Sequence, residues 1–165
     1  GAFIQPNPVK GEKMISPETL RFYPLFAHQD AAMLVKIADL AEEKEVEAGY
    51  QLFFEGEVAK SFYLILEGSV VLTMNMGEAG DQKIEELEPL GKGEVAGWSS
   101  IVKPHIYKLG AYTGHKSHLL AFDGEKLRTL FDENPSFGYY FMDKLAEVIG
   151  ARLISKCVQI MSMIE

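Results

Sequence analysis

Residues 48–72 read AGYQLFFEGEVAKSFYLILEGSVVL. Apolar runs at 50–54 and 62–66 are each too short for a helix, and both are bounded by glycine, which is the signature of strands joined by tight turns. Gly49, Gly56 and Gly68 stand where the runs end, where glycine tolerates positive φ or close backbone approach in the corners of a rolled sheet. The same texture continues outward through KEVEA at 44–48, SVVLTM at 69–74, KIEELE at 83–88 and SHLLAF at 117–122, with MGEAGD at 76–81 as a hairpin loop. Many short strands without long helices between them predict an antiparallel sandwich or barrel.

Helical patterns flank this region. Residues 1–15 lack periodicity and read as a loosely held lead segment. Ser16, Pro17 and Glu18 form a helix start, with a capping hydroxyl before a proline at the first helical position. Leu20, Tyr23 and Phe26 would form its apolar face despite Pro24. Asp30 opens a second helix carrying Met33, Leu34, Ile37, Ala38 and Leu40 at helical spacing. Asp123 caps a third, and Asn134 with Pro135 opens a long fourth ending near Met163. One domain is expected over 16–165: helices at 16–43, strands at 44–123 and helices at 124–165. The last helix places Phe137, Phe141, Leu145, Val148 and Ile149 on one stripe, continued less regularly by Leu153, Ile160 and Ile164. At about 1.5 Å per residue it would reach about 42 Å, longer than its own domain needs, so a homodimer through this helix is expected.

The 165 residues are 47% hydrophobic, enough for one core. A net charge of −8, with scattered Lys and Arg, argues against a nucleic-acid surface, which needs concentrated positive charge. Such acidity serves solubility. No apolar run reaches the roughly 18 residues of a membrane span, and the opening residues lack the layout of a secretory signal. The single Cys157 has no partner for an internal disulfide, consistent with a reducing, cytoplasmic setting.

The opening stretch resembles the first half of the cyclic-nucleotide-binding domain: Gly49, Phe53, Glu55, Gly56, Tyr63, Ile65, Gly68 and Val70 all fall in that family's pattern. With its flanking helices the resemblance covers roughly residues 17–155. It implies a mainly β fold with flanking helices, a double-stranded β-helix or jelly-roll with N-terminal helices and a long C-terminal helix. It also implies a regulatory, non-enzymatic module whose ligand would be cyclic AMP or cyclic GMP.

In that family the ligand is held by a cassette that begins with Gly-Glu and ends in an arginine. Residues 93–111, GEVAGWSSIVKPHIYKLGA, begin correctly with Gly93 and Glu94. By this resemblance Glu94 would accept a hydrogen bond from a ribose hydroxyl, and backbone amides around Val95 and Ala96, at the start of a short helix, would face the phosphate. GWSSIV followed by proline further resembles a bacterial subgroup, and alignment on Trp98 and Pro104 places Ile106 where the arginine belongs. Isoleucine offers none of the fork of donors that grips a phosphate. Losing one hydrogen bond to a charged group costs about 1.5–3 kcal/mol, roughly tenfold to more than a hundredfold in affinity.

Lys103, His105 and Lys108 lie nearby, and a gapless alignment to another subgroup puts Lys103 on the arginine position, where an ammonium would act only as a point charge. Bulky Tyr107 and Leu109 would fill space that a nucleotide needs. Alternatively, an enlarged apolar pocket with Glu94 would take a different small ligand. Two functions remain open: a sensory module with cyclic-nucleotide binding weakened or lost, or a non-binding interaction and dimerisation scaffold.

Other chemistry is less well supported. His115 and His118 do not match the ligand spacing of metal-dependent barrels, and positions three apart on a strand face opposite ways. Ser99 and Ser100 read as local backbone capping, and Trp98 as a core residue or a base-stacking platform. A transcription factor of this family would continue past the long helix into a helix-turn-helix, which this sequence does not show.

Overall fold

The computed structural model describes residues 15–164; all but one residue of the lead segment expected over 1–15 lies outside them. Eight strands form two four-stranded antiparallel sheets, β1-β8-β3-β6 and β2-β7-β4-β5. The strands are β1 Ala41–Val46, β2 Gln51–Phe53, β3 Ser61–Glu67, β4 Val70–Asn75, β5 Ile84–Glu86, β6 Val95–Ala96, β7 Gly110–Thr113 and β8 Ser117–Asp123. The helices are α1 Pro17–Leu20, α2 Ala31–Asp39, α3 Gly124–Glu133 and α4 Pro135–Ile164.

Strand alternation produces two cores. Along β3, Phe62, Leu64 and Leu66 point toward the helices, while Tyr63 and Ile65 point into the roll. Its partner β8 repeats this: Leu120 and Phe122 face out, Leu119 and Ala121 face in. Successive side chains on a strand must take opposite faces, and these central strands are buried on both. The outer core is aromatic: Phe26 packs on Phe122 at 5.5 Å, and Phe141 on Phe62 at 5.6 Å and Phe131 at 4.8 Å.

Gly49, Gly56 and Gly68 all have positive φ. Gly68 is the most constrained, with φ at 98° and a Cβ there lying 2.7 Å from the Lys116 carbonyl oxygen. Two of the expected caps are present, Met33 N–H donating to Asp30 at 2.8 Å and Lys126 N–H to Asp123 at 3.1 Å; Ser16 stands at the N-cap of α1, but its hydroxyl makes no capping hydrogen bond.

Two boundaries differ from expectation. The first helix is a single turn ending at Leu20. The second stops at Asp39 rather than reaching residue 43, because Ala41–Glu43 join β1 and pair with β8, Ala41 opposite Phe122. Ala, Glu and Lys in AEEKE all favour a helix, but intrinsic propensity amounts to tenths of a kcal/mol per residue and yields to pairing with a strand about half the chain away. The long helix is as expected: α4 has 30 residues, about 45 Å. It is anchored by Phe137, Phe141 and Leu145, whereas Leu153, Ile154, Val158, Ile160, Met161 and Ile164 are exposed.

Candidate ligand site between the roll and the last helix

Gly93, with φ at 84°, and Glu94 lead directly into β6. Gly93 N–H donates to the Ile65 carbonyl at 2.8 Å and Ile65 N–H to the Glu94 carbonyl at 3.0 Å, after which Val95 and Ala96 pair with Leu64 and Tyr63. Val95 and Ala96 therefore lie on a strand, not at a helix start as expected. The short helix is one 3-10 turn, Trp98–Ser100, entered through Gly97. Ser100 Oγ donates to the Gly97 carbonyl at 2.7 Å, a local backbone role of the kind read for that residue.

On the opposite side, residues 105–107 run against the loop that follows β2. Ala59 N–H donates to the His105 carbonyl at 2.7 Å, Tyr107 N–H to that of Glu57 at 2.9 Å, and Gly56 N–H to that of Tyr107 at 2.8 Å. This pairing sets the alternation. Ile106, bridged to Val58, is 37% exposed, while Tyr107 is 4% exposed and belongs to the inner core. The residue that enters the roll is thus Tyr107, one position beyond the isoleucine singled out by alignment.

Tyr107 fills that space. Its ring stacks on Phe53 with centroids 3.8 Å apart. Its hydroxyl donates to the Ser61 carbonyl at 2.7 Å and accepts from Ser61 N–H at 3.0 Å. Burial raises the phenol's pKa above the ordinary tyrosine value, partly offset by the amides of Ser61 and Lys60. What remains is a cavity of about 80 Å³, bordered by Phe53, Leu72, Ala96, Trp98, Tyr107 and Arg152. Ligand pockets of drug-sized molecules run to several hundred Å³.

Lys103 is exposed, and His105 is half-buried with Nδ1–H donating to the Ser99 carbonyl at 2.9 Å; with Ile106, they border neither this cavity nor its larger neighbour. Lys108 borders the small cavity. His115 Nδ1 contacts Ser69 Oγ at 2.9 Å, and His118 pairs with Glu43 at 2.5 Å. Among the described residues no group of three or more His, Cys, Asp or Glu is placed to hold a metal ion.

The larger hollow, about 380 Å³, lies between α4, β3, β6 and the Tyr23–Leu25 segment and includes Gly93, Glu94 and Val95 in its wall. Between the two cavities stands Arg152 of α4, which borders both. Nη2 donates to the Val95 carbonyl at 2.6 Å, and the guanidinium carbon lies 4.8 Å from the Trp98 ring centroid, a cation–π arrangement. Burial lowers the arginine's pKa, with the field of Glu94 opposing. Sequence reasoning missed this residue, although the signal was present: Arg152 continues the Phe141, Leu145, Val148 stripe at helical spacing, so a cation was written onto an apolar face.

The family described as the cyclic nucleotide-binding domain matches residues 43–134, more than half of the chain. A solved structure from Geobacter metallireducens GS-15, named as a cyclic nucleotide-binding protein, is 31% identical with a TM-score of 0.74, over 85% of this chain and 99% of that one. The catabolite activator protein of Thermus thermophilus is 22% identical with a TM-score of 0.65, over 83% of this chain and 61% of that one, a likeness of fold. A protein of Rhodopseudomonas palustris named as a potassium channel is 30% identical over 113 residues, 68% of this chain but only 26% of that protein.

Proposed function

Because the chain belongs to the cyclic nucleotide-binding domain family, we propose that it is a regulatory module in which the roll has closed on itself, so that cyclic-nucleotide binding is weakened or lost. The observation that carries this is Tyr107, stacked on Phe53 and hydrogen-bonded to Ser61 in the interior of the roll. A cyclic nucleotide would have to displace that ring and break both hydrogen bonds. It would find no arginine fork in return, since the position where the resemblance expects one is Ile106, which faces outward beside Val58, and the phenol that enters one position later neutralises no phosphate charge. Lys103, the substitute considered from alignment, is exposed and borders neither cavity. Output would pass through α4, whose apolar distal half suits a second copy of the chain, giving a homodimer.

The test is a calorimetric titration with cyclic AMP and cyclic GMP. No saturable heat up to millimolar nucleotide is the expected result, and saturable binding in the micromolar range would overturn the proposal. A second reading, a scaffold that binds no small ligand and acts only through self-association, is favoured by the exposed stripe of Ile154, Val158 and Met161. It is separated from the first by whether any ligand alters self-association.

A further inference from the structure

Arg152 is incompletely satisfied. Its Nη1 is buried and has no hydrogen-bond partner among the described residues, and no carboxylate among them lies within 4.0 Å as an ion-pair partner. Buried donors, above all charged ones, are ordinarily paired; because Arg152 also borders the adjoining hollow, a small turn of its guanidinium would present the unpartnered N–H to an acceptor entering there. The Val95 carbonyl and the Trp98 face keep the group at this wall of the hollow whether or not an acceptor is present. Preorganisation of this kind lowers the entropy cost of binding.

The hollow beside it has the size and lining of a ligand site. At about 380 Å³ it falls in the range of small-molecule pockets, and Leu25, Leu64, Val95, Val148 and Ala151 give it an apolar wall. Lys144 and Glu147, also on the wall, are within 3.4 Å of each other and offset one another. That leaves Arg152 and Glu94 as the remaining charges of the lining, farther apart than an ion pair but near enough for the carboxylate's field to act on the guanidinium. The hollow lies on the helix side of the sheet, so it does not require the roll to open.

We propose that this hollow is a second ligand site, outside the roll, for a small apolar carboxylic acid whose carboxylate draws out and takes the unpartnered donor of Arg152 and whose apolar body lies between α4 and Leu64. A singly charged carboxylate fits better than a phosphate dianion. Each charge brought into an apolar pocket carries a desolvation cost, and a single guanidinium answers one negative charge. Glu94 opposes any anion here and sets an upper limit on affinity.

The test uses octanoate as probe and octanol as its uncharged counterpart, with backbone amide chemical shifts as readout. Octanoate is expected to give saturable shifts at Gly93–Val95 and Val148–Arg152, with octanol binding about tenfold or more weakly. Arg152→Gln should weaken octanoate by about the same factor. Because that change also removes a tie between α4 and the roll, Ala151→Phe provides a second variant: it narrows the hollow, keeps the guanidinium, and should also weaken binding. Tyr107→Phe, inside the roll, should leave octanoate affinity unchanged, and Glu94→Gln should raise it. Absence of saturable octanoate binding, equal affinity for octanol, or unchanged affinity in both Arg152→Gln and Ala151→Phe would overturn the proposal. Binding of cyclic AMP is read in a separate titration, so failure of this site and failure of the closed-roll reading are distinguishable.

Discussion

The ring of Tyr107 lies face to face on that of Phe53, with centroids 3.8 Å and planes 11° apart. This contact joins β2 to the segment preceding β7 across the interior of the roll, and the Tyr107 hydroxyl ties the same segment to Ser61 at the start of β3. One side chain thus ties the neighbouring strands β2 and β3 to a segment 46 residues beyond Ser61. Tyr107→Ala should therefore destabilise the domain by about 3–5 kcal/mol, the usual cost of emptying a large core position, measured as a lower urea midpoint. Tyr107→Phe keeps the stack and removes only the hydroxyl, so a loss of about 1–2 kcal/mol is expected.

Alkaline pH should act through the same group. In the folded chain burial raises the Tyr107 pKa, and that of Tyr63 still further, while in the unfolded chain both titrate near the ordinary value of about 10. Above that pH the unfolded state gives up protons the folded state retains, so stability, fully present below about pH 10, falls as pH rises toward the folded-state values. Removing one of the two phenols in Tyr107→Phe should make this decline shallower, as followed by urea midpoints across the alkaline range.

Arginine scanning at two adjacent positions tests which residue enters the roll. Ile106→Arg should leave cyclic AMP binding as weak as in the unaltered chain, because residue 106 faces outward beside Val58. Tyr107→Arg removes the blocking ring and places a guanidinium at the interior position. Of the two variants it alone should gain affinity, by about tenfold or more, read by calorimetry. A gain in Ile106→Arg would show that the outward assignment is wrong.

Gly68→Ala should be among the most damaging small substitutions. It puts a side chain on a residue with φ at 98°, with its Cβ 2.7 Å from the Lys116 carbonyl oxygen, and neither backbone can retreat without disturbing the β3–β8 ladder. A loss of about 2 kcal/mol or more is expected, seen as a lower thermal midpoint.

Self-association is predicted to reside in the distal half of α4. Ile154, Val158 and Met161 recur at helical spacing and are all exposed, so a charge at Val158 would be buried in any dimer that covers them. Val158→Glu should shift sedimentation toward the monomer without changing the circular dichroism spectrum, and unchanged sedimentation would place the interface elsewhere.

Much of the fold was legible because it is written locally. The glycines at 49, 56 and 68, the caps at Asp30 and Asp123, and the Phe137, Phe141, Leu145 stripe each depend on a few neighbouring residues and on backbone geometry. The first boundary of the sheet was not, since Ala41–Glu43 are strand only because β8 lies beside them.

The amino-acid order by itself determined the rolled sheet, the flanking helices and the family, since turn chemistry and hydrophobic period act over short spans and need no partner. Tertiary structure alone decided which of two adjacent residues, Ile106 or Tyr107, enters the roll, because that alternation is set by hydrogen bonds to residues 56–59. It alone also brought Arg152 to Val95 and Trp98, more than fifty positions earlier in the chain, because a side chain's electrostatic surroundings are assembled by packing and not by sequence proximity.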